Sequence, residues 1–119
     1  MSRVKRSLTA KKKRRKIFKA AKGFFLSRGK LLRTATEAVN HAMVYAYRDR
    51  RVRKRDFRKL WIARINAAAR TNQISYSRLI YGMHKANIEI DRKVLSDIAI
   101  RDPRGFERIV AMAKGELQV

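Results

Sequence analysis

The sequence predicts an all-α protein in which a long basic helical N-terminal extension, residues 1–58, joins a small helical globular domain, residues 59–119. Three observations carry this. Glycine and proline, the strongest punctuators of regular structure, number only 5 and 1 in 119 residues, and neither occurs between Lys30 and Gly82. Over that interval apolar residues recur at steps of three and four, the period of one helical face. The charge is lopsided: residues 1–60 carry 22 bases and 3 acids, net +19, whereas residues 61–119 carry 10 and 6, net +4. That asymmetry separates a polyanion-binding arm from a more conventional body.

The first element is read over about Thr9 to Lys22, where Ala10, Ile17, Phe18, Ala20 and Ala21 form a thin apolar stripe among lysines and arginines. Gly23 is placed to end it. The pattern restarts after GFFLSRGK, with Leu31 or Leu32, Ala35, Ala38 or Val39, Ala42 and Ala46 on one face. It lapses at Asp49 and resumes with Phe57, Leu60, Trp61, Ile65, Ala68 and Ala69. One helix from about Leu31 to Thr71 accounts for all of these. At about 1.5 Å per residue it would be on the order of 60 Å long, against a radius of gyration of about 13 Å for a compact chain of a hundred residues. Much of it is therefore expected to project, with Phe57 to Ala69 contributing to the core of the body.

Three short helices follow. Ser75 caps one that runs to about Ala86, with Leu79, Ile80 and Met83 inward and Asn87 in the left-handed terminal position. Asp91 caps the next, with Val94, Leu95 and Ile98 inward. Asp102-Pro103 opens the last, which buries Phe106, Ile109, Val110 and Ala113. The alternation in NIEID, residues 87–91, is too short to make a paired strand.

Composition narrows function. A net charge of +23 demands a polyanion to relieve self-repulsion, and nucleic acid is the leading candidate. Cysteine is absent, so thiolate metal sites and thiol nucleophiles are excluded. The histidines, His41 and His84, lie far apart and are expected to stand without an orienting carboxylate; no phosphate-cradling glycine loop or nucleophile elbow accompanies them. No enzyme, metal or cofactor is expected. No apolar run reaches the roughly 18 residues of a membrane span, and charge breaks up any signal-peptide core, so the chain is read as soluble and intracellular, with no membrane partner.

The segment RDRRVRKRDFRKLW, residues 48–61, concentrates the signal. Arg48, Arg50, Arg51, Arg53, Lys54, Arg55, Arg58 and Lys59 step through about 100° each and cover every face of a helix, which excludes docking one side on protein. RNA on several sides fits. Pairs such as Asp49 with Arg53 and Asp56 with Lys59 add only about 0.2–0.5 kcal/mol each, too little to hold the helix against its own charge. Solvated polybasic runs or a localisation address would share the composition, but this run lies inside a helical register flanked by apolar stripes, unlike a disordered tail. The arm is expected to be largely disordered when free, its helix forming when phosphates neutralise it. Aromatics interleave with the bases: Phe18, Phe24, Phe25, Tyr45, Tyr47, Phe57 and Trp61. Phe24 and Phe25 have little core to enter, so stacking on splayed bases and a protein contact both stand, whereas Phe57, Leu60 and Trp61 are expected in the core.

YAYRDRRVRKRDFRKLWIARINAAAR (residues 45–70), SYSRLIYGMHKANIEIDRKVLSDIAI (residues 75–100) and, near the N-terminus, RVKR and KAAKGF closely resemble the bacterial-type large-subunit ribosomal protein L-twenty family over nearly the whole chain. The resemblance implies a helical C-terminal part with a basic helical extension threaded into large-subunit rRNA. It further implies direct binding of 23S rRNA, a role early in large-subunit assembly, neighbouring ribosomal proteins as partners, residence in a cytoplasmic or organellar ribosome, and in some bacteria repression of the protein's own mRNA. Carried over by position, the extension contacts are Arg3, Lys5, Arg6, Lys13, Arg14, Arg15, Lys16, Lys22, Arg28, Arg33, Tyr47 and the block Arg48, Arg50, Arg51, Arg53, Lys54, Arg55 and Arg58. On the body they are Arg64, Asn66, Arg70, Ser75, Tyr76, Ser77, His84, Lys85 and Arg92, where Tyr76 and His84 could equally pack or cap. Two departures stand out. Leu26 and Gln73 occupy places where the family has glycine, and Asn72 is expected to supply the left-handed residue that ends the long helix. A DNA-compacting protein remains the competing class on charge alone.

Overall fold

The computed structural model describes residues 5–117, and all regular structure among them is helical. The elements are α1 (Arg6–Ala20), a 3₁₀ turn (Leu26–Gly29), α2 (Leu32–Thr71), α3 (Tyr76–Lys85), α4 (Arg92–Arg101) and α5 (Pro103–Gly115). The all-α expectation and the single long helix are borne out: α2 is 40 residues long. The chain forms two compact units that meet in sequence between Arg51 and Val52.

In the first unit Ala21, Ala35 and Val39 are buried, and Ile17, Phe18 and Phe24 pack against them. Ala42 and Ala46, on the same stripe, are exposed, so among the described residues the stripe is uncovered between Val39 and Ala46. Gly23 (φ 86) reverses the chain after α1, and Leu26 is left-handed as well (φ 49). A Cβ at Gly29 would lie 2.9 Å from the Phe24 carbonyl oxygen, so the turn needs a glycine there. Leucine thus takes a conformation that favours glycine, at a cost of about 1–2 kcal/mol.

The second unit has the larger core. Ile65 and Ala69 of α2 meet Ile74, Leu79, Met83, Leu95, Phe106, Ile109, Val110 and Ala113. The three caps act as their residue types dictate. Ser75 Oγ accepts from the Arg78 amide at 3.4 Å, an Asp91 carboxylate oxygen from Val94 at 2.9 Å, and one of Asp102 from Gly105 at 3.0 Å. Asn87 is left-handed as expected (φ 53), and behind it the Ile88 amide donates to Met83 O at 2.9 Å. This bond returns across the last turn of α3 and satisfies an otherwise orphaned carbonyl.

Three expectations are corrected. Phe57 and Leu60 are 49% and 41% exposed and Trp61 only half-buried, because α3 to α5 are 10–13 residues long and cover α2 only from about Ile65 onward. Val94 is 49% exposed; Ser96 takes the buried place beside Leu95, with its hydroxyl satisfied by the Lys93 carbonyl at 2.8 Å. The left-handed residue ending α2 is Gln73 (φ 57), not Asn72. Here the Ile74 amide donates to Ala69 O at 3.1 Å and the Gln73 amide to Arg70 O at 3.0 Å, while Ile74 and Ala69 share the core. That hydrophobic closure fixes which residue must turn left-handed. Asn72 instead donates its side-chain amide to Ala68 O at 3.0 Å, and its own carbonyl accepts from Lys114 Nζ at 2.7 Å.

Gln73→Gly is therefore expected to stabilise the second unit by about 0.5–1 kcal/mol, the left-handed penalty less the extra freedom glycine gives the unfolded chain. Asn72→Gly should destabilise it. Urea denaturation followed by circular dichroism separates the two signs.

Candidate nucleic-acid interface

From Asn40 to Leu60 every residue of α2 is exposed except the half-buried Val52. Arg48, Arg50, Arg51, Arg53, Lys54, Arg55, Arg58 and Lys59 all lie there, and among the described residues the one ion pair is Arg48 Nε with Asp49 Oδ1 at 2.9 Å. The expected i to i+4 partner of Asp49, Arg53, is not used. The hydrogen bond and charge of Asp49 raise the Arg48 pKa above its ordinary value, leaving a cation that no accessible pH discharges.

Tyrosines one turn earlier hold two of the guanidinium groups. Arg51 donates to the Tyr47 hydroxyl at 2.9 Å and its Cζ lies 4.0 Å from the ring centroid. Arg48 Cζ stands 4.7 Å from the centroid of Tyr45. Stacking on an aromatic restricts a long side chain without consuming its charge, so the fork is partly oriented for an anion in advance.

In the second unit Phe57 and Trp61, with ring centroids 6.3 Å apart, sit in a hollow of about 640 Å³ walled by Arg53, Lys54, Arg55, Arg58 and Lys93. Five cations, two aromatic rings and no carboxylate describe a place for a nucleotide: phosphate on the guanidinium and ammonium groups, base on a ring. Lys93 is absent from the sequence-derived set, since only the packing of α4 brings it beside residue 61, and no local pattern announces that.

The remaining sequence-derived residues are distributed as follows. Lys5, Arg6, Lys13, Arg14, Arg15, Lys16, Lys22, Arg28 and Arg33 are exposed in the first unit, and Arg3 lies outside the described residues. Arg64, Arg70, Ser77, His84 and Lys85 are exposed in the second, Asn66 is half-buried, and Ser75 is committed to its cap. Tyr76 and Arg92 are brought together, the hydroxyl accepting from Nε at 2.9 Å, so Tyr76 positions an arginine. Lys85 Nζ stands 5.5 Å over Tyr81, a residue the sequence reading did not single out.

Glu37 precedes His41 by one turn on α2, and the two line one hollow, which corrects the expectation that this histidine stands without a carboxylate nearby. Among the described residues no cluster of His, Cys, Asp and Glu could hold a metal, and no helix is long and apolar enough to cross a membrane.

Between Asn40 and Leu60, then, α2 is bare but for the half-buried Val52 and carries its cations with one ion pair among the described residues, an arrangement suited to a polyanion chain. The family model described as Ribosomal protein L20 matches residues 3–109. Large ribosomal subunit protein bL20 of Syntrophus aciditrophicus is 74% identical over 116 residues, covering 98% of this chain and 98% of that protein. The proteins of the same name from Pelobacter propionicus and Geobacter sulfurreducens are each 58% identical, covering 98% of this chain and 100% and 99% of their own lengths. With a match of this extent at both levels, the chain belongs to the Ribosomal protein L20 family.

Proposed function

We propose that this chain, a non-enzymatic structural constituent of the large ribosomal subunit, binds 23S rRNA directly and helps fold it early in subunit assembly. The observation that carries this reading is the bare segment of α2 from Asn40 to Leu60, whose cations face several directions at once with one ion pair among them. A rod of this kind cannot be covered by a protein surface on one side. RNA strands passing on several sides neutralise it, and neutralisation in turn removes the repulsion that opposes the helix. Residues 1–58 act as the RNA-binding extension, and residues 59–119 as the globular domain that anchors it and meets neighbouring ribosomal proteins. Repression of the protein's own mRNA follows where that transcript folds into a structure that mimics the rRNA site.

A competition titration tests this. The full chain, bound to a fragment of large-subunit rRNA, is challenged with double-stranded DNA of equal phosphate content across a salt series. The rRNA complex is expected to survive salt that strips the DNA, with the amides of residues 40–60 gaining protection from hydrogen exchange on rRNA binding. Equal affinities and equal salt slopes for the two polymers would instead identify a DNA-compacting protein.

A further inference from the structure

We propose that the first unit carries a second, base-reading site: a hollow between the turn after α1 and the start of α2 that takes one unstacked RNA base, with Glu37 selecting guanine. This rests on the RNA-binding reading above. The hollow has a volume of about 790 Å³, ample for a base and its ribose, and Phe25, Arg28, Glu37, His41 and Tyr45 line it.

Its walls are fixed. Thr34 Oγ1 donates to Ser27 O at 2.8 Å and the Leu31 amide donates to the same oxygen at 2.8 Å, which ties the 3₁₀ turn to the first turn of α2. Phe24 packs against Ala21, Ala35 and Val39 and holds the other side. Into this frame project rings with too little protein around them to explain their presence. Phe25 is 78% exposed and Tyr45 49%, and His41 stacks on Tyr45 at 6.1 Å between centroids. Every base has a face that such rings can cover.

Glu37 turns a stacking platform into a reader. It is the only acid in residues 1–48, it stands among cations that attract phosphate, and among the described residues it forms no salt bridge. A carboxylate repels phosphate, so at an RNA surface its favourable partners are the N–H donors of a base edge. Guanine offers two in parallel, N1–H and N2–H, spaced for the two carboxylate oxygens. Adenine and cytosine offer an amino group beside an acceptor, and uracil offers one N–H between two carbonyls. The order of preference is guanine, then adenine and cytosine, then uracil. Arg28, at the rim, meets the adjoining phosphate.

Uridine octamers bearing one central guanosine, adenosine, cytidine or uridine test this with the full chain. The guanosine octamer should bind roughly tenfold more tightly than the all-uridine one. Glu37→Gln should bring that ratio near one by loss of the guanosine advantage, with affinity for the all-uridine octamer equal to or above that of the unaltered chain, since the carboxylate removed repels phosphate. Phe25→Ala should weaken all four octamers by roughly tenfold. Equal binding of the four by the unaltered chain, or a guanosine preference that survives Glu37→Gln, overturns the proposal. If those results come with tight, salt-resistant rRNA binding, this inference alone fails; if rRNA binding is absent too, the underlying reading fails with it.

Discussion

Replacing Arg53, Lys54, Arg55 and Arg58 together by glutamine is expected to lower affinity for large-subunit rRNA by on the order of a thousandfold, at about 1 kcal/mol for each cation–phosphate pair removed. The same variant should flatten the salt dependence. Each phosphate neutralised contributes about 0.7–0.9 to the slope of log affinity against log salt, so removing four such pairs lowers the slope by about three. The two readouts together distinguish weakened phosphate binding from unfolding. Glutamine is as good a helix former as lysine or arginine. The substitution also removes like charges one turn apart, Lys54 with Arg58 and Arg55 with Lys59, each worth about 0.2–0.5 kcal/mol of repulsion. The variant should therefore melt at or above the parent temperature while binding far more weakly. A fall in affinity below tenfold, or an unchanged slope, would show that these cations do not meet phosphate.

That block was legible because it is a matter of composition and phase: eight cations on closely spaced helical positions cover every face whatever the tertiary structure. The caps were legible for a similar reason. Ser75, Asp91 and Asp102 each satisfy an amide three residues ahead, and Asp102 is followed by proline at the first helical position. What failed was each inference needing knowledge of a distant partner. An apolar stripe tells which side of α2 could be buried but not where its cover begins, so Phe57, Leu60 and Trp61 continue the stripe yet lie before a core that starts at Ile65. Asn72 is the better left-handed residue by type, yet the contact of Ile74 with Ala69 sets the register and forces Gln73 into that role. Leu26 shows the same override in the first unit. The two hollows are the extreme case. Lys93 lines the same hollow as Trp61 only through the packing of α4, and Glu37 acquires a setting only when the turn at Ser27 folds back onto α2.

The close approach of α3 to α5 hangs on one glycine, and Gly82→Ala is expected to lower the stability of the second unit by about 2 kcal/mol. Gly82 is buried on α3 against α5, and a Cβ added there would lie 2.4 Å from the Ala113 carbonyl oxygen and 3.0 Å from its carbonyl carbon and Cβ. Those are chiefly backbone atoms, which no rotamer change can clear. The helices must separate, loosening the packing of Leu79, Met83, Phe106 and Val110, at an overpacking cost of up to about 3 kcal/mol or somewhat more. Better helix propensity returns about 1 kcal/mol of it. In a domain of this size each kcal/mol is worth about 4–8 °C, so the melting temperature should fall by about 8–16 °C. Gly115→Ala provides the contrast, since a Cβ there meets nothing within 4 Å, and it should leave the melting temperature level or slightly higher. Thermal melts of the full chain, read at the helical circular dichroism band, decide it; a Gly82→Ala variant melting within about 3 °C of the parent would mean that α3 and α5 yield without loss.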